Sequence, residues 1–161
     1  MTSWNKNASI KFRTDVAFMC KLGFDIGLKE LSIDEQTFCR DAVANYNRLK
    51  DVILNGNLYR LVSPFDGNHS AAMHLNDAKT KAVVYAYDIH PRYQEKTFHV
   101  KLQGLHPSSN YLVTETNLMP NVKSSLKENG LVFSGDFLMK VGLDLFSTDK
   151  LTSKVVELTA Q

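Results

Sequence analysis

The chain has 161 residues, 43% hydrophobic and 22% charged, with a formal net charge of +2. These are the proportions of an ordinary globular protein, and a chain of this length buries about 70% of the surface it exposes when unfolded, so its core needs no staples. The weak charge, with Lys and Arg interspersed among Asp and Glu, gives no argument for nucleic acid or an anionic membrane as partner, and an uncharged one such as sugar fits at least as well.

The N-terminal stretch MTSWNKNASIKFR is polar and lacks the apolar h-region of a signal peptide, and no later run has the length and apolarity of a transmembrane helix. Over residues 9–21, Phe12, Val16, Met19 and Cys20 recur at helical spacing, which predicts a helix with one buried face. The compact run 16–20 also reads as a short strand. Gly23 and Gly27 bracket Phe24, Asp25 and Ile26, a second short strand. Ser32 and Glu35 then have the spacing of a capping box, and Asp34 and Glu35 place negative charge at a helix N-terminus. Phe38, Ala42, Tyr46, Leu49 and Ile53 form one apolar stripe, and Asn55-Gly56 reads as a left-handed stop. A long amphipathic helix over 33–54 follows, with its stripe expected to dock on the β half or on a second copy. Cys20 and Cys39, the only cysteines, lie in apolar-periodic stretches and read as buried free thiols.

After Gly56 the pattern alternates and turn residues recur. Segments 58–62, 71–75, 82–87, 97–102, 111–116, 131–133, 143–146 and 155–158 are short and rich in β-branched and aromatic residues. About eight such strands predict a mainly β protein, an antiparallel sandwich or barrel. Phe98, Val100 and Leu102 alternate with polar neighbours, giving one wet face, whereas 82–87 is apolar throughout and should be central. The change of character divides the chain into residues 1–55 and 56–161.

No phosphate-cradling glycine loop, zinc-type Cys/His spacing or nucleophile elbow is present. Of the five histidines (His69, His74, His90, His99, His106), strand-borne His74 and His99 are candidates to converge as ligands or bases, against the plainer reading of hydrogen-bonded structural residues. Asp15 and Asp25 are the candidate carboxylates, embedded in apolar segments at element ends. Asp25 sits where a barrel enzyme places functional groups, while caps or ion pairs, for instance with Arg13, are the alternative. Tyr85, Tyr87 and Tyr93 are candidates for a sugar-stacking platform, against the plainer reading of core or cross-strand packing partners. Trp4 is too terminal to place.

Four motifs in order carry a resemblance. They are Phe12-Arg13-Thr14-Asp15-Val16-Ala17; Leu22-Gly23-Phe24-Asp25-Ile26; Gly56-Asn57-Leu58-Tyr59-Arg60-Leu61-Val62-Ser63-Pro64; and Ser134-Gly135-Asp136-Phe137-Leu138-Met139 with Gly142-Leu143. The sequence resembles the C-terminal third of glycoside hydrolase family 36 α-galactosidases over nearly its whole length. The resemblance implies a retaining hydrolase of terminal α-D-galactosyl groups, with a (β/α)8 barrel followed by a C-terminal β-sandwich. Residues 1–55 would then be a helix–strand–helix remnant of the barrel and 56–161 the sandwich. The family's nucleophile adjoins a Trp-Asp motif, whereas the one tryptophan here, Trp4, precedes Asn5. Neither catalytic aspartate therefore carries over, and Asp15 and Asp25 become structural. The expected assignment is no catalytic, substrate-binding or metal residue in this chain, no cofactor, and a supporting part that is inactive alone. Its expected partners are the rest of the barrel and, through the parent enzyme, α-galactosides, with a homo-oligomer as a further option. The alternative function is a non-catalytic carbohydrate-binding or oligomerisation module.

Overall fold

A computed structural model describes residues 7–92, 94–95 and 98–161. Serine hydroxyls start the first two helices. Ser9 caps α1 (Ile10–Phe18) by accepting from the Phe12 N–H at 3.1 Å. Ser32 caps α2 (Ile33–Asn55) with both arms of the predicted box: the Glu35 N–H donates to Ser32 Oγ at 3.3 Å, and the Ser32 N–H to Glu35 Oε2 at 2.8 Å. Gly56 ends α2, but not as the predicted left-handed stop, since its φ of −76° and ψ of 163° are extended. Glycine is required there for space. A Cβ would collide with the Val52 carbonyl oxygen and come within 2.9 Å of the Leu75 carbonyl oxygen.

The β half is one antiparallel sheet. It comprises β1 (Asn57–Val62), β2 (His69–Leu75), β3 (Lys81–Asp88), β4 (Asn110–Thr116), β5 (Val132–Ser134) and β6 (Thr152–Ala160), in the order β1-β2-β3-β6-β4-β5. The last strand inserts between β3 and β4, pairing with β3 from Lys81↔Thr159 to Asp88↔Thr152. β3 is buried from Ala82 to its end, as its unbroken apolar run predicts for a central strand.

The mainly β, antiparallel expectation matches this architecture, with six strands in one sheet in place of about eight in a two-sheet sandwich. Two predicted strands account for the difference. The described part of 97–102 meets 143–146 only at the isolated bridge Val100↔Leu143. The Leu102 N–H turns instead to the Leu138 carbonyl in α3 (Gly135–Lys140). Gly142, at φ +89°, fixes this departure, because a Cβ there would strike the Val100 carbonyl oxygen. The result is an irregular layer. Val100, Leu102, Leu105, Leu126, Leu138 and Leu143 form one core with Met73, Val84, Val113 and Val156 of the sheet.

Helices cover the opposite face. Phe18 of α1 and Leu49, Val52 and Ile53 of α2 pack on Val83, Tyr85, Tyr87 and Val155, so the expected stripe docks on the sheet only at its C-terminal half, through Tyr46, Leu49 and Ile53 and not through Phe38 and Ala42. The N-terminal half of α2 forms a smaller cluster, Phe38, Cys39 and Ala42 with Ile10, and Phe24, Ile26 and Leu31 against it. Among the described residues, 24–26 belong to none of the six strands, and Asp25 alone of them has bridge geometry. Cys39 is buried as expected, whereas Cys20 is exposed; both are free thiols. In α1 the buried positions are Ile10, Thr14, Asp15 and Phe18, and Val16 of the predicted stripe is 47% exposed. A polar network, described next, sets the rotation of this helix against its apolar spacing.

Candidate functional site

The Asp15 side chain has three hydrogen-bond partners on three different segments. Lying on the sheet-facing side of α1, it is fully buried. Lys11, one turn earlier, donates to Oδ2 at 2.6 Å, and the Ser153 hydroxyl of β6 donates to the same oxygen at 2.7 Å. Asn117, just past β4 and at φ +56°, donates to Oδ1 at 3.1 Å and accepts from Asn45 of α2 at 3.1 Å. The Tyr87 hydroxyl of β3 donates to the Asp15 carbonyl oxygen at 2.9 Å. Burial raises the Asp15 pKa above the usual carboxylate range, opposed by the Lys11 charge and by the hydrogen bonds. With both oxygens occupied, this carboxylate is placed to lock α1, α2 and the sheet together.

The other buried carboxylates are spent in the same way. Glu157 of β6 takes Arg48 of α2 at 2.6 and 2.7 Å, and Glu115 of β4 accepts from Ser124. Asp88, at the end of β3, accepts from the Ser147 N–H and the Thr152 hydroxyl, each at 3.0 Å, and faces His69 Nδ1 at 2.7 Å. Burial raises the Asp88 pKa against those bonds. His69 is buried against Phe146, with ring centroids 4.5 Å apart, and its Nε2 lies 3.8 Å from Glu95. The sequence reading did not single out this pair. Its signal is hairpin symmetry, because His69 and Asp88 are mirror positions about the turn that joins β2 to β3 and are register partners.

The remaining candidates do not converge. Asp25 is exposed, and the Asp15 ion pair is with Lys11, not Arg13. His74 is buried and bonded to the Tyr85 hydroxyl at 3.2 Å, its pKa lowered by burial, whereas His99 is exposed. Tyr85 and Tyr87 are buried beneath the helices and present no stacking platform. Tyr93 and Trp4 lie outside the described residues. The described residues hold no group of three or more metal-ligating side chains, and no described helix is long and apolar enough to cross a membrane.

What the helical layer does present is an apolar rim. A hollow of about 310 Å³ is lined by Phe24, Ile26, Leu28, Leu31, Cys39 and Val43 among others. Leu28 and Ile33 are 68% and 82% exposed. Large apolar side chains are thus left exposed beside α2.

Comparison with known proteins gives this arrangement its family. The Glycosyl hydrolase family 36 C-terminal domain matches residues 69–158. The chain is 28% identical over 137 residues to α-galactosidase 1 of Pediococcus pentosaceus, covering 85% of this chain and 17% of that protein. It is 26% identical over 157 residues to α-galactosidase 2 of Hypocrea jecorina, covering 97% and 19%. Among solved structures, the GH36 α-galactosidase AgaB of Geobacillus stearothermophilus superposes with a TM-score of 0.82 at 26% identity, covering 96% of this chain and 20% of that one. A form of AgaA from the same organism, in complex with raffinose, gives 0.82 at 25%, covering 96% and 20%. The chain belongs to glycosyl hydrolase family 36, corresponds to its C-terminal domain, and spans about a fifth of the length of these relatives.

Proposed function

We propose that this chain is the supporting C-terminal part of a retaining α-galactosidase acting on terminal α-D-galactosyl groups of oligosaccharides. The catalytic carboxylates belong to other strands of the parent barrel. Residues 1–55 complete that barrel, residues 56–161 form the domain that buttresses it, and the chain has no turnover of its own. The observation that carries this reading is the contrast between the two sides of α2. One side is tied to the sheet through Leu49, Ile53 and the Arg48–Glu157 pair, while the other offers the rim of Phe24, Ile26, Leu28 and Val43. A barrel packs its helices and strands together in this sense, so the rest of the barrel is the partner of suitable chemistry. The names of the relatives support the substrate class, and raffinose is the sugar held by one of them. Retaining hydrolysis needs two carboxyls about 5–5.5 Å apart and free to react, and the buried residues Asp15, Asp88, Glu115 and Glu157 have their carboxylates engaged. The coding sequence upstream of Met1 tests the assignment. An open frame with a Trp-Asp motif and a second barrel aspartate is the expected finding, and a stop codon directly upstream, with no companion gene for the barrel, overturns it.

A further inference from the structure

The helical layer stops short of β1, the outer edge of the sheet. Between Met19 after α1, Tyr87 of β3 and the turn at 63–66 lies an open cleft of about 790 Å³. That lies within the ~300–1,000 Å³ of small-molecule clefts. In its floor Arg60 stands opposite Ala72, directly before a β-bulge between Arg60 and Val62 that re-aims the strand. Its rim carries Phe65, a large ring that is 95% exposed. The turn that presents this ring is fixed. Ser63 Oγ accepts from the Phe65 N–H at 3.2 Å, and the Ser63 carbonyl from the Asp66 N–H at 3.4 Å. Among the described residues the side chains of Arg60 and Asp66 make no ion pair or hydrogen bond.

We propose that this cleft is a binding site for a neutral oligosaccharide. A pyranose has an apolar C–H face and a rim of hydroxyls, and the cleft offers a counterpart to each. The electron-rich face of Phe65 suits the C–H face. The Arg60 guanidinium donates to hydroxyl oxygens, while the Asp66 carboxylate accepts from hydroxyl protons, and neither is committed elsewhere. Their opposite charges cancel, so the cleft favours neither an anionic nor a cationic ligand, and Ser70, whose hydroxyl donates to the Val62 carbonyl at 3.4 Å, adds an acceptor oxygen at the floor. The inference concerns binding by this chain, not turnover by a parent enzyme, and it stands or falls separately from the α-galactosidase reading.

The test is an NMR titration of the ¹⁵N-labelled 161-residue chain with raffinose and, separately, with maltotriose. The expected result is saturable shift changes clustered at Arg60, Phe65, Asp66 and Ser70 with at least one of the two sugars. Phe65→Ala should weaken that binding by about tenfold, as the loss of a stacked ring predicts, with an unchanged circular dichroism spectrum because the ring is exposed. Absence of shifts with both sugars, shifts clustered elsewhere, or unaltered affinity in Phe65→Ala each overturns the proposal. So does a concentration-dependent dimer that buries this cleft.

Discussion

The Ser153 hydroxyl and the Asp15 carboxylate meet at 2.7 Å across 138 residues of sequence, joining the first helix to the last strand. Lys11, Asn117 and Asn45 extend this contact into a chain of hydrogen bonds that reaches α2. Removing one partner of a buried charged network leaves the others unsatisfied. Asp15→Ala is therefore expected to cost about 3 kcal/mol of unfolding free energy, and Ser153→Ala about 1–2 kcal/mol. Urea denaturation followed by circular dichroism measures both. Losses below about 0.5 kcal/mol in each would remove the network from the account.

Glycine positions give a sharper contrast. Gly56 sits against the backbone carbonyls of Val52 and Leu75, whereas nothing lies within 4 Å of a Cβ at Gly67. Gly56→Ala should destabilise by about 2 kcal/mol or more, because backbone must shift, and Gly67→Ala should stay within about 0.5 kcal/mol of the native chain. Thermal melts of the two variants side by side decide this, and equal effects would contradict it.

Burial holds the His74 pKa below the ordinary histidine value of about 6.5. A folded value below the unfolded one means that the unfolded chain binds the proton more readily. The contribution of His74 is therefore fully present above 6.5 and is lost as pH falls through the lowered folded value. Asp15 and Asp88, whose folded values are raised, act in the opposite sense: their contribution is present below the unfolded carboxylate value and is lost as pH rises through the folded one. Comparison with His74→Gln isolates the histidine. The native chain should lose stability relative to the variant as pH is lowered from 7 toward 5, read from urea midpoints. A constant difference over that range would show that His74 is not titrating as described.

Arg48 is half exposed and Glu157 nearly buried. Arg48→Met keeps most of the aliphatic packing but strands the carboxylate, with an expected loss of about 1–2 kcal/mol. Measured at low salt and again at 1 M salt, the loss should shrink, since screening weakens partly exposed pairs. A loss independent of salt would mean that packing, not charge, carries this contact.

Local chemistry made much of the fold readable. The Ser32/Glu35 box and the stripe through Leu49 and Ile53 placed α2 within a residue of its ends, and the continuous run at 82–87 marked β3 as central. The described part of 97–102 and the segment 143–146 form no ladder because their apolar residues report burial, not pairing. Val100, Leu102, Leu143 and Leu145 are buried, yet Gly142 and the turn of Leu102 toward Leu138 prevent a ladder. The rotation of α1 was hidden for another reason. Its buried face includes Thr14 and Asp15, whose partners Asn117 and Ser153 are distant in sequence, and periodicity weighs only apolar residues. His69–Asp88 escaped for a different reason: the pair emerges only when the register of the β2–β3 hairpin is written out. The cleft at Phe65 was hidden because its residues read locally as a turn.

The most direct measurement of the central claim is hydrolysis of a chromogenic α-galactoside by the purified 161-residue chain. With Asp15, Asp88, Glu115 and Glu157 all engaged, release of chromophore should equal that of buffer alone, in the native chain and in Asp15→Asn alike. Turnover above buffer that falls when Asp15 or Asp25 is replaced by Asn would place a catalytic carboxylate in this chain and contradict its supporting role.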